Sequence, residues 1–171
     1  NSLITSRGGG LVITFSSPII ENCWFYENST GLGYEGAAIA IKKPTTGWDV
    51  SENFYPVFNN CIIENHDRGG IIVDDYHTNI TFNNCVIKNN SGSIIYLEEY
   101  DSLNLLKTEI TNNEGGAGNS SSCAGAISDP YGDGNINLIN STISENTFNS
   151  NSNICNSLSS NGILIKGGDL Y

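Results

Sequence analysis

Short apolar runs, each three to six residues long, alternate with polar positions along the whole chain. Within many runs the apolar residues fall on every second position, as at Ile80 and Phe82 or at Leu103 and Leu105. A spacing of two is typical of β-strands, and no window offers the three-to-four spacing of an amphipathic helix. Gly and Asn recur between the runs. The pattern therefore predicts an all-β fold built from many short strands.

One line of sequence recurs five times. It reads apolar, x, apolar, x, Asn, Cys/Thr/Ser, x, Ile/Phe, x, x, Asn, at 18–28, 56–66, 80–90, 103–113 and 136–146. Its sixth position advances by 38, 24, 23 and 33 residues, so the basal period is 23 to 24. A second block of Gly or Ala followed by a β-branched run recurs at 9–13, 37–41, 69–73, 92–96, 125–128 and 162–165. Gly/Ser/Pro/Thr-rich insertions at 42–55 and 114–123 account for the longer steps.

Three short strands per period, separated by Gly and Asn corners, describe one coil of a solenoid. We predict a single-stranded right-handed parallel β-helix of about five to six coils, stacked about 4.8 Å apart, as one domain over 1–171. A leucine-rich repeat is the alternative solenoid at this period. It requires several regularly placed Leu per unit, whereas Ile, Phe and Gly-Ala dominate here. Neither end of the sequence resembles a cap, so we expect the solenoid to continue, in the same chain or into copies of itself.

The repeated positions have physical roles in such a stack. The fifth position of the line is Asn in four copies, and Asn tolerates the left-handed backbone that a corner needs. Stacked Asn amides can also hydrogen-bond between coils, and this predicted ladder is Asn22, Asn60, Asn84 and Asn140, with Lys107 as the exception. By alternation the next position points inward and carries small side chains: Cys23, Cys61, Cys85, Thr108 and Ser141. Gly in the second block is expected at another corner.

The two repeated blocks resemble the GGA(I/L/V) and FxxN repeats of the chlamydial polymorphic outer-membrane protein family. FYEN at 25–28 matches the second motif, and AGAI at 124–127, GAAI at 36–39 and GGII at 69–72 are close to the first. The remaining FxxN positions carry Ile in place of Phe. The resemblance implies a secreted or surface-displayed, adhesin-like β-helix, and a homologue among protist surface proteins is an alternative. It implies no catalytic residues, because the family motifs are structural.

Charge and composition limit the classes of partner that this chain is expected to bind. A formal net charge of -11 disfavours nucleic acid and anionic membranes. No apolar run reaches the roughly 18 residues of a membrane helix, so we expect no membrane insertion by this segment. The expected partners are neighbouring coils of the chain or copies of itself, with glycans as a further class. No cofactor is predicted.

The cysteines fall into two groups. Cys23, Cys61 and Cys85 lie in one predicted column, where we expect buried small side chains, although neighbours would be close enough for a bridge. Cys123 and Cys155 lie outside the repeat, in two polar insertions. We predict a Cys123–Cys155 disulfide, and with it an oxidising, extracellular or cell-surface location.

Five Asn-x-Ser/Thr sequons occur, about the number that 25 asparagines would produce by chance, so only their positions are informative. We predict glycosylation at Asn28, Asn79, Asn89 and Asn119, of which Asn119 lies in a polar insertion. Asn140 belongs to the predicted ladder, and we expect the stack to block it sterically.

Other candidate chemistry is weaker. Asp74-Asp75, Glu98-Glu99 and Asp101 could form one acidic patch that binds Ca²⁺, although solvated turns are the commoner outcome, so no metal site is predicted. His66 and His77 lack zinc-ligand spacing. The sequence VDDYH at 73–77 resembles one element of a polygalacturonase site, but its other elements are missing. The candidates for sugar binding by surface aromatics are Trp24, Trp48, Tyr55, Tyr76, Tyr96, Tyr100 and Tyr131, although packing of each against the stack is the commoner outcome.

The sequence thus favours a non-enzymatic extracellular structural or adhesin-like β-helix, part of a surface stalk or filament. A carbohydrate-binding surface module is the first alternative, and a polysaccharide hydrolase or lyase is the second.

Overall fold

A computed structural model of the chain describes residues 9–29, 37–42, 52–67, 69–74, 77–92, 94–116, 124–132, 134–149, 162–165 and 169–170. These residues form short strands joined by turns and bends, and they contain no helix. Every one of the predicted apolar lines contributes two strands to the stack. The period-two alternation is therefore read correctly as strand spacing.

Four parallel sheets run along the stack. Five coils contribute one strand each to the first, second and third sheets in turn, and three of these coils add a strand to the fourth. The first sheet contains β1 (Leu11–Ile13), β4 (Ile39–Lys42), β7 (Ile71–Asp74), β11 (Ile95–Glu99), β15 (Ile127–Asp129) and β19 (Ile163–Ile165). The second contains β2 (Ile19–Glu21), β5 (Val57–Asn59), β8 (Asn79–Asn83), β12 (Ser102–Leu106), β16 (Asn135–Ile139) and β20 (Asp169–Leu170). The third contains β3 (Trp24–Tyr26), β6 (Ile62–Glu64), β9 (Val86–Lys88), β13 (Glu109–Thr111) and β17 (Thr142–Ser144). The fourth contains β10 (Ser91–Gly92), β14 (Glu114–Gly115) and β18 (Thr147–Phe148).

Equivalent residues of successive coils pair directly. Phe58 of β5 is in register with Phe82 of β8, and Ile63 of β6 is in register with Ile87 of β9. The strand order in each sheet follows the coil order, so each coil contacts only the coils before and after it. The described residues thus form five coils and two strands of a sixth. This arrangement is the predicted parallel β-helix.

The core is a set of apolar columns that run along the inside of the coils. Phe58 and Phe82 are fully buried, and their rings stack with centroids 4.8 Å apart at 15°. Phe25 meets Phe58 edge-on at 6.5 Å. An inward side chain finds its equivalent about one strand spacing away, so identical apolar residues pack well in successive coils.

The structure corrects two expectations about the coil. Three coils carry a fourth strand, which the three-strand prediction did not include. The predicted insertions are also too long: Lys42 ends β4, Phe54 forms a bridge with Thr78, and Glu114–Gly115 is β14. Short polar stretches such as Ser91–Gly92 have no apolar alternation, because the coil turns sharply there. Pairing with the neighbouring coil, rather than sequence pattern, defines these strands.

Candidate functional site

The corner between the second and third sheets is two residues long, and its first residue is left-handed. Its backbone φ angles are 54° at Asn22, 53° at Asn60, 53° at Asn84, 50° at Lys107 and 51° at Asn140. Asn adopts this conformation at lower cost than other residues with a Cβ atom, and this explains its repetition. Asn84 Nδ2 donates to Asn60 Oδ1 at 2.7 Å, the one hydrogen bond between side chains of this column among the described residues.

The second residue of this corner points inward and holds two coils together. We call these residues the hydroxyl–thiol column: Cys23, Cys61, Cys85, Thr108 and Ser141. Thr108 Oγ1 accepts from the Cys85 backbone N–H at 3.3 Å and lies 3.0 Å from the Phe82 carbonyl, to which it can donate. Ser141 Oγ does the same for the Thr108 N–H and the Leu105 carbonyl. The thiols of Cys61 and Cys85 are likewise placed to donate to carbonyls of the preceding coil, those of Ile20 and Phe58. The column therefore connects the backbones of neighbouring coils, whereas the prediction gave its small side chains only a packing role.

The three described cysteines of this column are free thiols. Cys23 is exposed in the first coil, whereas Cys61 and Cys85 are buried. Burial raises the pKa of the Cys61 thiol, and it raises the pKa of Cys85 to about 11. A neutral, buried thiol is a poor nucleophile and a poor metal ligand. The two buried cysteines are therefore suited to a structural role.

A second left-handed corner follows the third sheet. Its residues have φ angles between 50° and 61°, and they are Glu27, Asn65, Asn89, Asn112 and Glu145. The next residue points inward and forms what we call the asparagine–histidine column: Asn28, His66, Asn90, Asn113 and Asn146. Four of these five are buried, and Asn28 of the first coil is half-buried. This column is the last Asn of the repeated line and of the FxxN motif.

Asn90 and Asn113 make the same bonds to the coils on either side, and Asn146 makes those toward the preceding coil. Asn113 Nδ2 donates to the Ile87 carbonyl at 3.1 Å and to Asn146 Oδ1 at 2.8 Å. Asn113 Oδ1 accepts from the Asn90 backbone N–H at 3.0 Å. Asn90 and Asn146 donate to the carbonyls of Ile63 and Ile110 in the same manner. A continuous run of buried amides thus connects the second coil to the fifth.

The repeated line contains this Asn, but the prediction gave it no role. The predicted hydrogen-bonded ladder was the Asn before the hydroxyl–thiol column, although Asn occurs in four of five copies at both positions. Strand alternation alone would point the last Asn outward, because it is three residues after an inward Ile or Phe. The left-handed residue immediately before it reverses the direction of its side chain. The final Asn is therefore inward.

The geometry is a stack of parallel coils with two inward polar columns at its corners. A family model described as a right-handed β-helix region matches residues 1–130 of the chain. The chain belongs to this right-handed β-helix family. Neither a curated protein nor a solved structure matches the chain. The match covers the β-helix as a fold, and the finer resemblance to the chlamydial family stays a prediction.

The outer face of this β-helix carries an exposed aromatic pair at its first coil. Trp24 and Tyr26 project from β3 with exposed fractions of 63% and 42%, and their ring centroids are 4.8 Å apart. Trp24 Nε1 donates to Glu64 Oε1 at 2.8 Å in the second coil, and Lys88 Nζ lies 3.3 Å from Glu64 Oε2 in the third. We call Trp24, Tyr26, Glu64 and Lys88 the aromatic platform. Bonds across three coils fix the orientation of its indole ring.

The other predicted surface aromatics divide into three groups. Tyr55 and Tyr131 are exposed, as expected. Tyr96 and Tyr100 are buried, so their assignment to the surface was wrong. Tyr96 packs with Ala40 and Ile72 on the outer side of the first sheet, and Tyr100 donates to Asp129 Oδ2 at 2.8 Å. Trp48 and Tyr76 lie outside the described residues.

The predicted glycosylation sites differ in exposure. Asn89 is exposed at the second left-handed corner, whereas Asn28 and Asn79 are half-buried. Asn79 Nδ2 donates to Asp101 Oδ2, and Asn79 Oδ1 accepts from Ser102 Oγ. Asn140 is exposed, in contrast to the steric block that we expected. Asn119, Cys123 and Cys155 lie outside the described residues, so glycosylation and the Cys123–Cys155 disulfide stay predictions.

The acidic residues and histidines form no metal site in the part of the chain that the structure describes. Asp74 ends β7 and is in register with Glu99 of β11, while Asp75 lies outside the described residues. His66 is part of the asparagine–histidine column, and His77 is in the turn before β8. No helix among the described residues has the length and apolar character to cross a membrane.

Proposed function

We propose that this chain is a non-enzymatic, extracellular β-helix that serves as a structural or adhesin-like segment of a surface stalk or filament. The observation that carries the proposal is the asparagine–histidine column. Its inward amides are all engaged in joining one coil to the next. A fold that devotes its buried polar groups to axial continuity suits a protein whose task is to span a distance and keep its shape.

The outer surface supports the same proposal. Along the second sheet, Asn83 Nδ2 donates to Asn59 Oδ1, and Asn59 Nδ2 donates to Glu21 Oε1. Asn137 and Asn104 are joined in the same way at 2.8 Å. These outward amides also bridge coils, and they leave a polar, regularly spaced face toward solvent. Neighbouring copies of the chain, or other coils of a longer chain, are the partners that we propose for this surface.

The cellular location is testable by surface digestion. Intact cells that produce the protein are treated briefly with trypsin, and the released peptides are identified by mass spectrometry without reduction. We expect peptides of this chain in the released fraction, together with a linked Cys123–Cys155 pair. Release only after cell lysis, with both cysteines free, would overturn the extracellular proposal.

The non-enzymatic part of the proposal needs a separate test. The purified chain is incubated with polygalacturonate, alginate and neutral β-glucans, and new reducing ends and unsaturated products are measured. We expect no product above the rate of a heat-denatured sample. Sustained release of oligosaccharides would instead favour the hydrolase or lyase alternative, with Asp74 and Asp75 as the first residues to substitute.

The aromatic platform favours a second candidate function, a carbohydrate-binding surface module. Sugar rings stack on exposed aromatic side chains, and Trp24 is both exposed and fixed in orientation by Glu64. A platform that is already ordered loses little side-chain entropy on binding. The surrounding acids, Glu21, Glu27 and Glu64, and the net charge of -11 favour a neutral sugar over an acidic one.

A glycan array followed by isothermal titration tests this candidate. We expect Trp24→Ala to weaken binding of a neutral oligosaccharide at least about fivefold, since truncation of an aromatic anchor costs on the order of 1 kcal/mol or more. Tyr131→Ala is the matched control, because Tyr131 is equally exposed (56%) but lies at a distant turn. Absence of binding on the array, or equal losses in both variants, would eliminate the carbohydrate-binding candidate.

A further inference from the structure

His66 is the one residue of the asparagine–histidine column that can change its charge near neutral pH. It is 1% exposed and stands where the next three coils carry Asn90, Asn113 and Asn146. Its backbone N–H donates to Asn90 Oδ1 at 3.1 Å, as the repeat requires. Its side chain faces the first coil, where Nδ1 is 3.0 Å from the Asn28 backbone nitrogen and 3.2 Å from the Asn28 carbonyl oxygen.

The imidazole makes only some of the hydrogen bonds that an Asn side chain makes in this column. Nδ1 replaces the Asn Oδ1 atom by accepting from the Asn28 N–H. An Asn side chain also donates to the carbonyl of the preceding coil, as Asn90 does to Ile63. The remaining nitrogen of His66, Nε2, is buried, and among the described residues no partner meets it in hydrogen-bond geometry. A buried polar atom of this kind is costly, and it becomes more costly when the ring is charged.

Protonation would break the bond that joins the first two coils at this corner. The neutral ring carries its hydrogen on Nε2, because Nδ1 is the acceptor; protonation adds a hydrogen on Nδ1 and a buried positive charge. The new hydrogen can point to the Asn28 carbonyl oxygen at 3.2 Å, but the Asn28 N–H then loses its acceptor. The later junctions, made by Asn90, Asn113 and Asn146, have no group that titrates in this range. Acid therefore acts on one junction of the stack and spares the next three.

The charged groups around His66 do not remove this effect. Glu27 precedes Asn28 in the first coil, Glu64 and Asp67 flank His66 in its own coil, and Lys88 of the third coil pairs with Glu64. Burial lowers the pKa of His66 below 6.5, and the carbonyls of Asn28 and Phe25 and the carboxylates of Asp67 and Glu64 oppose that shift only in part. Lys88 already neutralises part of the Glu64 charge. Desolvation therefore remains the dominant influence on the ring.

We propose that His66 makes the corner between the first and second coils an acid-released contact, unlike the equivalent corners of the next three coils, which carry Asn. The sign follows from proton linkage. The opened junction binds a proton more readily than the closed one, so the junction is fully stable above about pH 6.5 and weakens as the pH falls below that value. Acidification loosens the corner at Asn28, two residues after the exposed Tyr26, before the equivalent Asn corners of the later coils open.

Hydrogen exchange of single backbone amides, followed by NMR between pH 5 and 7.5, tests the proposal. The amides of Asn90 and Asn113 are internal controls, because they donate to Asn Oδ1 atoms at equivalent corners. We expect the protection of the Asn28 amide, relative to these two, to fall by up to about tenfold for each pH unit below 6.5. A ratio that does not change with pH would overturn the proposal.

The variant His66→Asn is the sharpest comparison, since it gives the second coil the residue that the next three coils already carry. We expect the pH dependence of the Asn28 protection ratio to disappear in this variant. The same dependence in wild type and variant would also overturn the proposal. If the variant does not fold, NMR titration of the wild-type imidazoles, assigned with His77→Gln, decides the question. His66 must then titrate below 6.5, and a value at or above 6.5 excludes the acid-released contact.

Discussion

The two inward polar columns occupy equivalent places in the coil but follow different rules. The hydroxyl–thiol column contains Cys, Thr or Ser in successive coils. The asparagine–histidine column contains Asn in four of its five coils and His66 in the remaining one. In the first column each side chain bonds only backbone atoms and always has a carbonyl within its own coil, as Thr108 has at Leu106. In the second column Asn90 and Asn113 also bond the next side chain of the column. A column whose members depend on one another tolerates less variation than one whose members depend on the backbone.

The largest effect is expected where this mutual dependence is broken. Asn113→Ala leaves the Asn90 N–H without its acceptor and the Ile87 carbonyl without the amide donor, both within the core. We expect the free energy of unfolding to fall by about 3 kcal/mol, because each buried group left unpaired costs roughly 1–3 kcal/mol. Urea denaturation measures the change.

Asn104→Ala is the matched control for that variant. Asn104 lies in the same coil and also bridges coils, but it is half-buried on the outer face, where water can replace its bonds. The expected loss is below about 1 kcal/mol. Equal losses for Asn104→Ala and Asn113→Ala would contradict a special role for the buried column.

A smaller effect is expected in the hydroxyl–thiol column. Thr108→Val removes the acceptor of the Cys85 N–H and should lower the free energy of unfolding by about 2 kcal/mol. Thr78 is equally buried, but its Oγ1 has no hydrogen-bond partner in the described part of the chain. Thr78→Val should therefore be neutral or stabilising by up to about 1 kcal/mol. Thermal unfolding of both variants makes the comparison, and destabilisation of similar size in the two would refute it.

The smallest effect concerns reactivity rather than stability. A thiol reacts as its thiolate, and the raised pKa values of Cys61 and Cys85 leave little thiolate at pH 8. We expect iodoacetamide to label Cys23 first and Cys85 last in the folded protein, and all three at similar rates in denaturant. Peptide mapping against time gives the order. Rapid native labelling of Cys85 would show that its coil opens more often than the structure implies.

The sequence predicts the repeat architecture well because the coil is built from local rules. Alternation at Ile80 and Phe82 gives the strand, Asn84 gives the left-handed corner, and the 23-to-24-residue period gives the stack. The short strands at Ser91 and Glu114 could not be predicted, since pairing with the next coil alone defines them. The burial of Tyr96 and Tyr100 was missed for a related reason. Both follow or lie within the first-sheet strand, whose outer side is also covered, so polar alternation gives no indication of their exposure.

Candidate chemistry was harder to predict than architecture. The sequence identified Trp24 as one of seven equivalent aromatics, and only the structure distinguishes it by the bond from Nε1 to Glu64. These residues are 40 positions apart, and the predicted insertion at 42–55 lies between them. His66 stood out in the sequence only as a residue without zinc-ligand spacing. Its orphaned nitrogen arises because it replaces an Asn whose inward role the pattern did not reveal.

The hydrogen bonds between coils all run along the axis of the stack, and this direction has a mechanical consequence. A pulling force applied along the axis passes through every junction in turn, so each junction carries the same tension. The bonds then open one coil at a time, as in a zipper, and not together as in strands that are sheared. Under such a force the rod extends first at its weakest junction, and the joint at His66 would make that point depend on the acidity of its surroundings.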